Sequence, residues 1–428
     1  MQIQLSSVCE LIKKGMRIMK KKYLLFSLIL FIILIFPTNC FALVYGDFGS
    51  AGGDLPDGCV NFEDLMIFAM AYGATPADAN WNLLCDIYPD VKIDFEDLMV
   101  FAMNYGRKIK IGLVFDIGGR GDESFNDSAY RGIEWAKIDF NIEHTELEPE
   151  DDEDRETYLR NLAEIGCDLV IGVGFLFTDV ITIVADEFPD TSFAIIDGYI
   201  PDKSNVVSLS FKEHEGSFLV GMIAGMRAIE DSKNVVGFIG GMDIPLIHKF
   251  EAGYRAGVHY VFPECTILSD YAGDTPEAFA DPAKGKELAL AQYDNGAWVI
   301  YHASGLTGSG VFEAGKERKR FVIGVDSNQN YMGYIEETEE SFGLTSMLKQ
   351  VDVTVYLTIK SVVEGTFTGG IEIFGLDRSV NIGGKLYYGV YYALDEYNEN
   401  SVTPEMIAQV EEARDKIISG EIIVPEVL

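Results

Sequence analysis

From Lys110 onward the chain alternates short apolar runs with stretches of helical periodicity, and this alternation limits the fold more than any other feature. The runs fall at 109–115, 168–173 (DLVIGV), 192–196 (SFAII), 206–210 (VVSLS), 235–239 (VVGFI), 297–301 (AWVIY), 321–325 (FVIGV) and 342–347. They are rich in β-branched residues and largely apolar along their length, which marks strands buried on both faces, in parallel sheets covered by helices. Helical patterns near 126–140, 156–165, 177–188, 213–230, 246–262, 283–295 and 309–318 supply the covering layers. Roughly 320 residues of this kind exceed one comfortable core, so an α/β architecture of two lobes is expected.

The stretch Ile111 to Ile133, IGLVFDIGGRGDESFNDSAYRGI, places a strand, a break at Gly118, Gly119 and Gly121, and a helix start near Phe125 in one run. Ligands of open α/β sheets bind beyond the carboxyl ends of the strands, so Asp116 and Phe125-Asn126 would face one crevice. Four further strand ends carry comparable groups: Gly172-Val173-Gly174-Phe175 with Asp179, Gly240 to Pro245, Ala303-Ser304-Gly305 with Gly308 and Gly310, and Gly324-Val325-Asp326-Ser327. Glycine turns let backbone approach a ligand, a strand-end carboxylate suits vicinal hydroxyls, and aromatic rings suit stacking on a flat ring.

At 428 residues the length predicts two to three domains. The net charge of -35, from 68 acidic and 33 basic residues, repels phosphate backbones and anionic lipid, which excludes nucleic acid as a partner. Enzyme readings find no support: the five histidines form no HExxH, no G-x-S-x-G is present, and Gly118 to Gly121 lacks both the Walker Lys-Ser/Thr and the dinucleotide spacing. Six cysteines include no CxxC pair, and Cys167 and Cys265 read as buried thiols.

Lys20-Lys21-Lys22 precedes an apolar run from Tyr23 to Phe36, closed by Pro37, which describes an export signal cleaved after Ala42, with a lipoprotein cut before Cys40 as the rival. An internal repeat follows. Asn61 to Gly73 (NFEDLMIFAMAYG) recurs as Asp94 to Gly106 (DFEDLMVFAMNYG), each copy a short amphipathic helix ended by glycine. The acidic loops before the helices space Asp57, Gly58, Val60, Asn61 and Asp64, and then Asp86, Asp90, Ile93, Asp94 and Asp97, like EF-hand calcium loops. The alternative is two helices packed through Phe and Met faces without metal.

The paired loop-helix repeats from about Val44 to Arg107 resemble a type I dockerin module, and that resemblance implies calcium on Asp57, Asp64, Asp86, Asp90 and Asp97 and a cohesin or cell-surface partner. The loops depart from the family at Gly53, where the first ligand belongs with Asp47 and Asp54 close by, and at Tyr88 and Val91. A disulfide between Cys59 and Cys85 would stand in for missing ligands. A domain boundary is expected within Arg107-Lys108-Ile109-Lys110, giving a signal peptide (1–42), a repeat module (43–107) and a binding domain (108–428). Within the last, acidic Glu143 to Glu156 reads as a solvated lead-in to a helix, and Thr403 to Ser419 as a terminal helix with Pro404 in its first turn.

VFDIGGRGDESFND, GVGF, FKEHEGSFLVG, GFIGGMDIPLIHKFEAGYRAG, DPAKGKELALAQYDNGA, IGVDSNQ and TSMLKQVDVTVY are similar to motifs of the basic membrane protein family of solute-binding proteins, over about Lys110 to Gly389. The resemblance implies a type I periplasmic binding protein, monomeric, with two Rossmann-like lobes and hinge crossings near 230, 326 and 348. It also implies a purine nucleoside as ligand, ABC permease subunits as partners and no cofactor in the binding domain. In that site Phe125 and Phe279 would stack on the purine, with Tyr271 as the substitute for Phe279, and Asn126 and Asp179 would read its edge. Asp116, Gly305, Asp326 and Lys349 would hold the ribose. A sugar or other small-ligand sensor on the same fold, a surface interaction protein acting through the repeat, and a nucleoside hydrolase remain the competing expectations.

Overall fold

The computed structural model describes residues 47–48, 56–150 and 152–428. The export segment, Cys9, Cys40, Gly53 and Asp54 lie outside them. The chain divides into two compact units, one of residues through Ile109 with Asp139–Glu143 and Val363–Thr366, the other of Lys110–Ile138, His144–Val362 and Phe367–Leu428.

The smaller unit is built on α1 (Phe62–Ala71) and α2 (Phe95–Asn104). Both open with a capping box, in which the Asn61 or Asp94 side chain accepts from the helix start while Asp64 or Asp97 accepts the N–H of residue 61 or 94, at 2.8 and 2.7 Å. Phe68 and Phe101, the same position in each copy, stack with ring centroids 5.3 Å apart, and Phe48, Val60, Ile93 and Leu98 close the core around them. The packing face is therefore aromatic and aliphatic, whereas Met66, Met70 and Met103 are exposed. Cys59 and Cys85 are both buried free thiols, which overturns the expected disulfide. Cys59 pairs with Lys108 across a β-bridge, while Cys85 packs in the aromatic core.

In the larger unit β1 (Lys110–Val114), β2 (Glu143–Leu147), β3 (Leu169–Val173), β4 (Ser192–Ile196) and β5 (Val206–Phe211) alternate with α3 (Phe125–Asp139), α4 (Asp152–Glu164) and α5 (Thr178–Glu187). After α6 (Glu213–Glu230) come β6 (Val235–Met242), α7 (Pro245–Val261), β7 (Thr266–Gly273), α8 (Pro282–Asp294), β8 (Val299–Ala303), α9 (Gly308–Arg318) and β9 (Phe321–Asp326). The chain ends with β10 (Gly343–Lys349), α10 (Val351–Val363), β11 (Gly370–Phe374), β12 (Val390–Tyr392) and α11 (Pro404–Ile418).

Two six-stranded sheets result, in the orders β11-β5-β4-β3-β1-β2 and β12-β10-β9-β8-β6-β7. The described pairings are parallel except that of β12 with β10. One lobe forms on each sheet, with separate cores around Phe177 and Phe193 and around Tyr293 and Phe312. The chain passes between the sheets after β5, after β10 and after β11. The crossing expected near 326 is absent, because β9 and β10 are parallel neighbours in one sheet. Acidic 143–156 is only in part a helix lead-in, since its first residues form β2.

Candidate ligand-binding site

Strand ends of both sheets converge on one cavity of about 590 Å³, counted with its open mouth. β1 delivers Asp116, β3 delivers Gly174 and Phe175, and β4 delivers Asp197 from the first lobe; β8, β9 and β10 deliver Ser304 and Gly305, Asp326 and Lys349 from the second. Phe125 at the start of α3, Ile247 and Phe250 on α7, and Phe279 on the turn before α8 complete most of the wall.

Lys349 is the electrostatic centre. Only 2% exposed, its ammonium lies 2.5 Å from Asp197 and 3.5 Å from Glu213, and the rings of Phe125, Phe211 and Phe250 stand 5.0, 5.0 and 5.6 Å away. Burial opposes its charge, but Asp197, Glu213 and Asp326 together hold its pKa above the usual range. Burial in turn raises the Glu213 carboxyl, and one oxygen each of Asp197 and Glu213 has no hydrogen-bond partner.

Burial pushes Asp116 up to about 7, against the Ile117 N–H and the Arg155 guanidinium 3.8 Å away. The glycine at 174 is what makes room for it: a Cβ there would stand 2.1 Å from Asp116 Oδ2, and its φ is +106°. Asp326, pushed by burial up to about 6 against the pull of Lys349, accepts from Ser124 Oγ at 2.7 Å. Asp197 and Asp326 both hold left-handed backbone, with φ of +64° and +63°, a conformation Asp tolerates better than most residues.

Of the residues expected to bind, the structure brings Asp116, Phe125, Asn126, Phe279, Gly305, Asp326 and Lys349 to this cavity. Asp179 is not among its lining residues; it is exposed on the first turn of α5. Asn126 is bound to protein on both sides of its amide, accepting from the Asp116 N–H at 2.9 Å and donating to Asp122 at 3.1 Å, so it braces Asp116. Tyr271 does not line the cavity; its hydroxyl donates to buried Glu251. Sequence reasoning missed Asp197 and Glu213 and left Phe250 out of the site, whereas Phe175, at a strand end, does line the cavity. The Asp after the apolar run SFAII was a strand-end carboxylate like Asp116, the signal that could have found Asp197.

In the smaller unit the five expected metal ligands are engaged by backbone. Asp57 accepts from Cys59, Asp90 from Lys92, and Asp64 from Phe48 and Asn61. Asp97 accepts from Tyr88 and Asp94. Asp86 accepts from the N–H groups of Asp90 and Val91 at 3.3 and 3.2 Å, and Asp47 accepts from Asp57 and Gly58 at 3.3 and 2.7 Å. Asp47 thus fills in the first loop the place that Asp86 fills in the second. Among the described residues no three Asp, Glu, His or Cys side chains gather where they could hold a metal ion.

A family profile described as "ABC transporter substrate-binding protein PnrA-like" (Bmp) matches residues 108–427. The CD4+ T-cell-stimulating antigen of Listeria monocytogenes is 36% identical over 74% of this chain and 88% of its own length. The ABC transporter nucleoside-binding protein BmpA of Lactococcus lactis is 33% identical over 74% of this chain and 89% of its own. A solved ABC transporter solute-binding protein from Aeropyrum pernix superposes with a TM-score of 0.64 at 31% identity, over 74% of this chain and 94% of that one. Two parallel-sheet lobes, a cavity at their strand ends and this similarity lead to one conclusion: the chain belongs to the PnrA-like (Bmp) family of ABC transporter substrate-binding proteins, a family of binding proteins rather than enzymes.

Proposed function

We propose that the larger unit captures a neutral purine nucleoside outside the cytoplasm and presents it to the permease subunits of an ABC importer. The observation that carries this reading is the presence of two aromatic rings, Phe125 and Phe279, on the same cavity as the strand-end carboxylates of Asp116 and Asp326. Flat apolar surface serves a base, and carboxylates serve ribose hydroxyls. Among the described residues that line the cavity the one cation is Lys349, and it already faces Asp197, Glu213 and Asp326, which favours a nucleoside over a nucleotide. The name of the Lactococcus lactis relative supports the same ligand class.

Export rests on the basic and apolar segment before Pro37. The smaller unit serves, in this reading, as a spacer following that segment, with calcium and a cohesin partner as roles to be tried separately. Deleting residues 43–107 and measuring surface retention tests the spacer.

Thermal unfolding with adenosine, guanosine, inosine, cytidine, ribose and galactose, in calcium and in chelator, tests the ligand. A nucleoside at about 100 times its Kd adds about 2.7 kcal/mol of stability. A shift with purine nucleosides alone is expected, and a shift with galactose or ribose in their place replaces the reading with a sugar-binding one. Free base released from inosine would turn it into a hydrolase.

A further inference from the structure

We infer that Gln329 is the positioning residue that ties the floor of the ligand cavity to closure of the two lobes. Its side chain is almost wholly buried just beyond β9 and does not line the cavity. Its oxygen accepts from the Val325 N–H at 2.8 Å and from His302 Nε2 at 3.1 Å, both in the second lobe. Its nitrogen donates at 3.1 Å to the carbonyl of Glu123, in the loop that follows β1 in the first lobe. A backbone N–H only donates and a carbonyl only accepts, so these two partners fix which end of the amide is which.

The assignment propagates inward. His302 is buried beneath the cavity, and burial holds its pKa down to about 4, so its ring is neutral and carries one N–H. That hydrogen must sit on Nε2, because the Gln329 oxygen cannot donate. Nδ1 is then an acceptor, and Ser304 Oγ, 3.3 Å away, donates to it. Ser304 lines the cavity and consequently turns lone pairs rather than a hydrogen toward a bound solute.

A directed chain runs from Ser304 through His302 and Gln329 to the Glu123 carbonyl, from the solute to the opposite lobe. Bonds in such a chain strengthen one another. A solute hydroxyl or N–H donating to Ser304 polarises the chain toward the bond that joins the two lobes in this structure, and that bond in turn orients Ser304 to receive the donor. Neighbouring contacts share the Glu123–Ser124 strip: Ser327 Oγ donates to the Ser124 carbonyl at 2.9 Å and Tyr331 to the Glu123 carboxylate at 2.5 Å. Neither is bonded onward to Ser304. The inference rests on the binding-protein reading and not on which solute is bound.

The substitution Gln329→Glu separates the two directions. Its carboxylate still accepts from Val325 and His302, but it meets the Glu123 carbonyl with a lone pair; once protonated it regains a donor. Asp326 and the Glu123 carboxylate also lie nearby, and the wild-type profile controls for their titration. Inosine binding by calorimetry is expected to be about tenfold weaker than wild type at pH 8 and within about threefold of it at pH 5. Small-angle scattering of the ligand-free full chain should show a larger radius of gyration for the variant at pH 8. A wild-type-to-variant ratio that is the same at both pH values overturns the inference, as does an unchanged radius. If inosine binds neither protein, the nucleoside reading fails while the scattering comparison still decides this one. Should Gln329→Glu not fold, the uncharged Gln329→Met carries the scattering test, with an unchanged radius again the overturning result.

Discussion

Aspartate does different work in the two units. In the smaller one the carboxylates are used close to home: Asp64 by Asn61, Asp86 by Asp90 and Val91, Asp97 by Asp94. In the larger one Asp197 meets Lys349 across 152 positions of sequence and Asp326 meets Ser124 across 202. The local set is satisfied by N–H groups that the turn itself provides, so it shapes loops. The distant set is desolvated and only partly paired, with one Asp197 oxygen left without a hydrogen bond, so it keeps capacity for a ligand.

The sharpest test of this contrast is Lys349→Met. It leaves Asp197 and Glu213 buried without their shared counter-charge, and the expected cost is about 3–5 kcal/mol in urea unfolding, together with loss of inosine binding. A variant as stable as wild type would show that the cavity carboxylates are as self-sufficient as those of the repeat.

Asp116→Ala comes next, with inosine affinity expected to fall by about 2–4 kcal/mol in calorimetry, because a charged acceptor is lost from a desolvated wall. The same residue predicts a pH dependence. Burial raises its pKa to about 7 in the folded protein, above the ordinary value near about 4, so the folded state holds the proton more tightly. Its contribution is fully present below about pH 4 and is lost as the pH rises through about 7. Melting of the ligand-free protein should fall across that window, and Asp116→Asn should flatten the fall; an unaltered slope would take Asp116 out of the poised set.

The smallest effect is expected in the repeat. Asp97→Ala removes the acceptor for Asp94 and Tyr88 and should cost about 1–2 kcal/mol in the unfolding of the smaller unit, leaving inosine affinity unchanged. A change in affinity would mean that the two uses of aspartate are not separate.

The same division between near and far decides what could be read from the sequence. The eight strands recognised as apolar runs are the eight interior strands of the two sheets, buried on both faces. The four edge strands, β2, β7, β11 and β12, are not among those runs. β2 and β7 show why: their residues are mostly half-buried or exposed, so Glu143–Leu147 reads as acidic loop and Thr266–Gly273 has no apolar run. In the site, Asp116, Phe125 and Asp326 were legible because each sits beside a turn signal. Glu213 was not, because at the start of α6 it looks like any first-turn acid, and only the fold sets it 3.5 Å from Lys349. Asp47 lies close to the first loop in sequence, but its pairing with Gly58 depends on a chain path that spacing alone does not describe.

The left-handed backbone at Asp197 and Asp326 bears on how such a pocket can be altered. A randomised library at these two positions should return a short alphabet, chiefly Asp, Asn and Gly, since bulkier and β-branched side chains would oppose the φ of +64° and +63°. From Asp to Asn is one nucleotide change and swaps an acceptor for a donor. Diversification toward new solutes at these strand ends therefore proceeds in a few discrete exchanges of hydrogen-bond sense, while graded changes of size fall to the aromatic wall at Phe125, Phe175 and Phe279, where the backbone sets no such restriction.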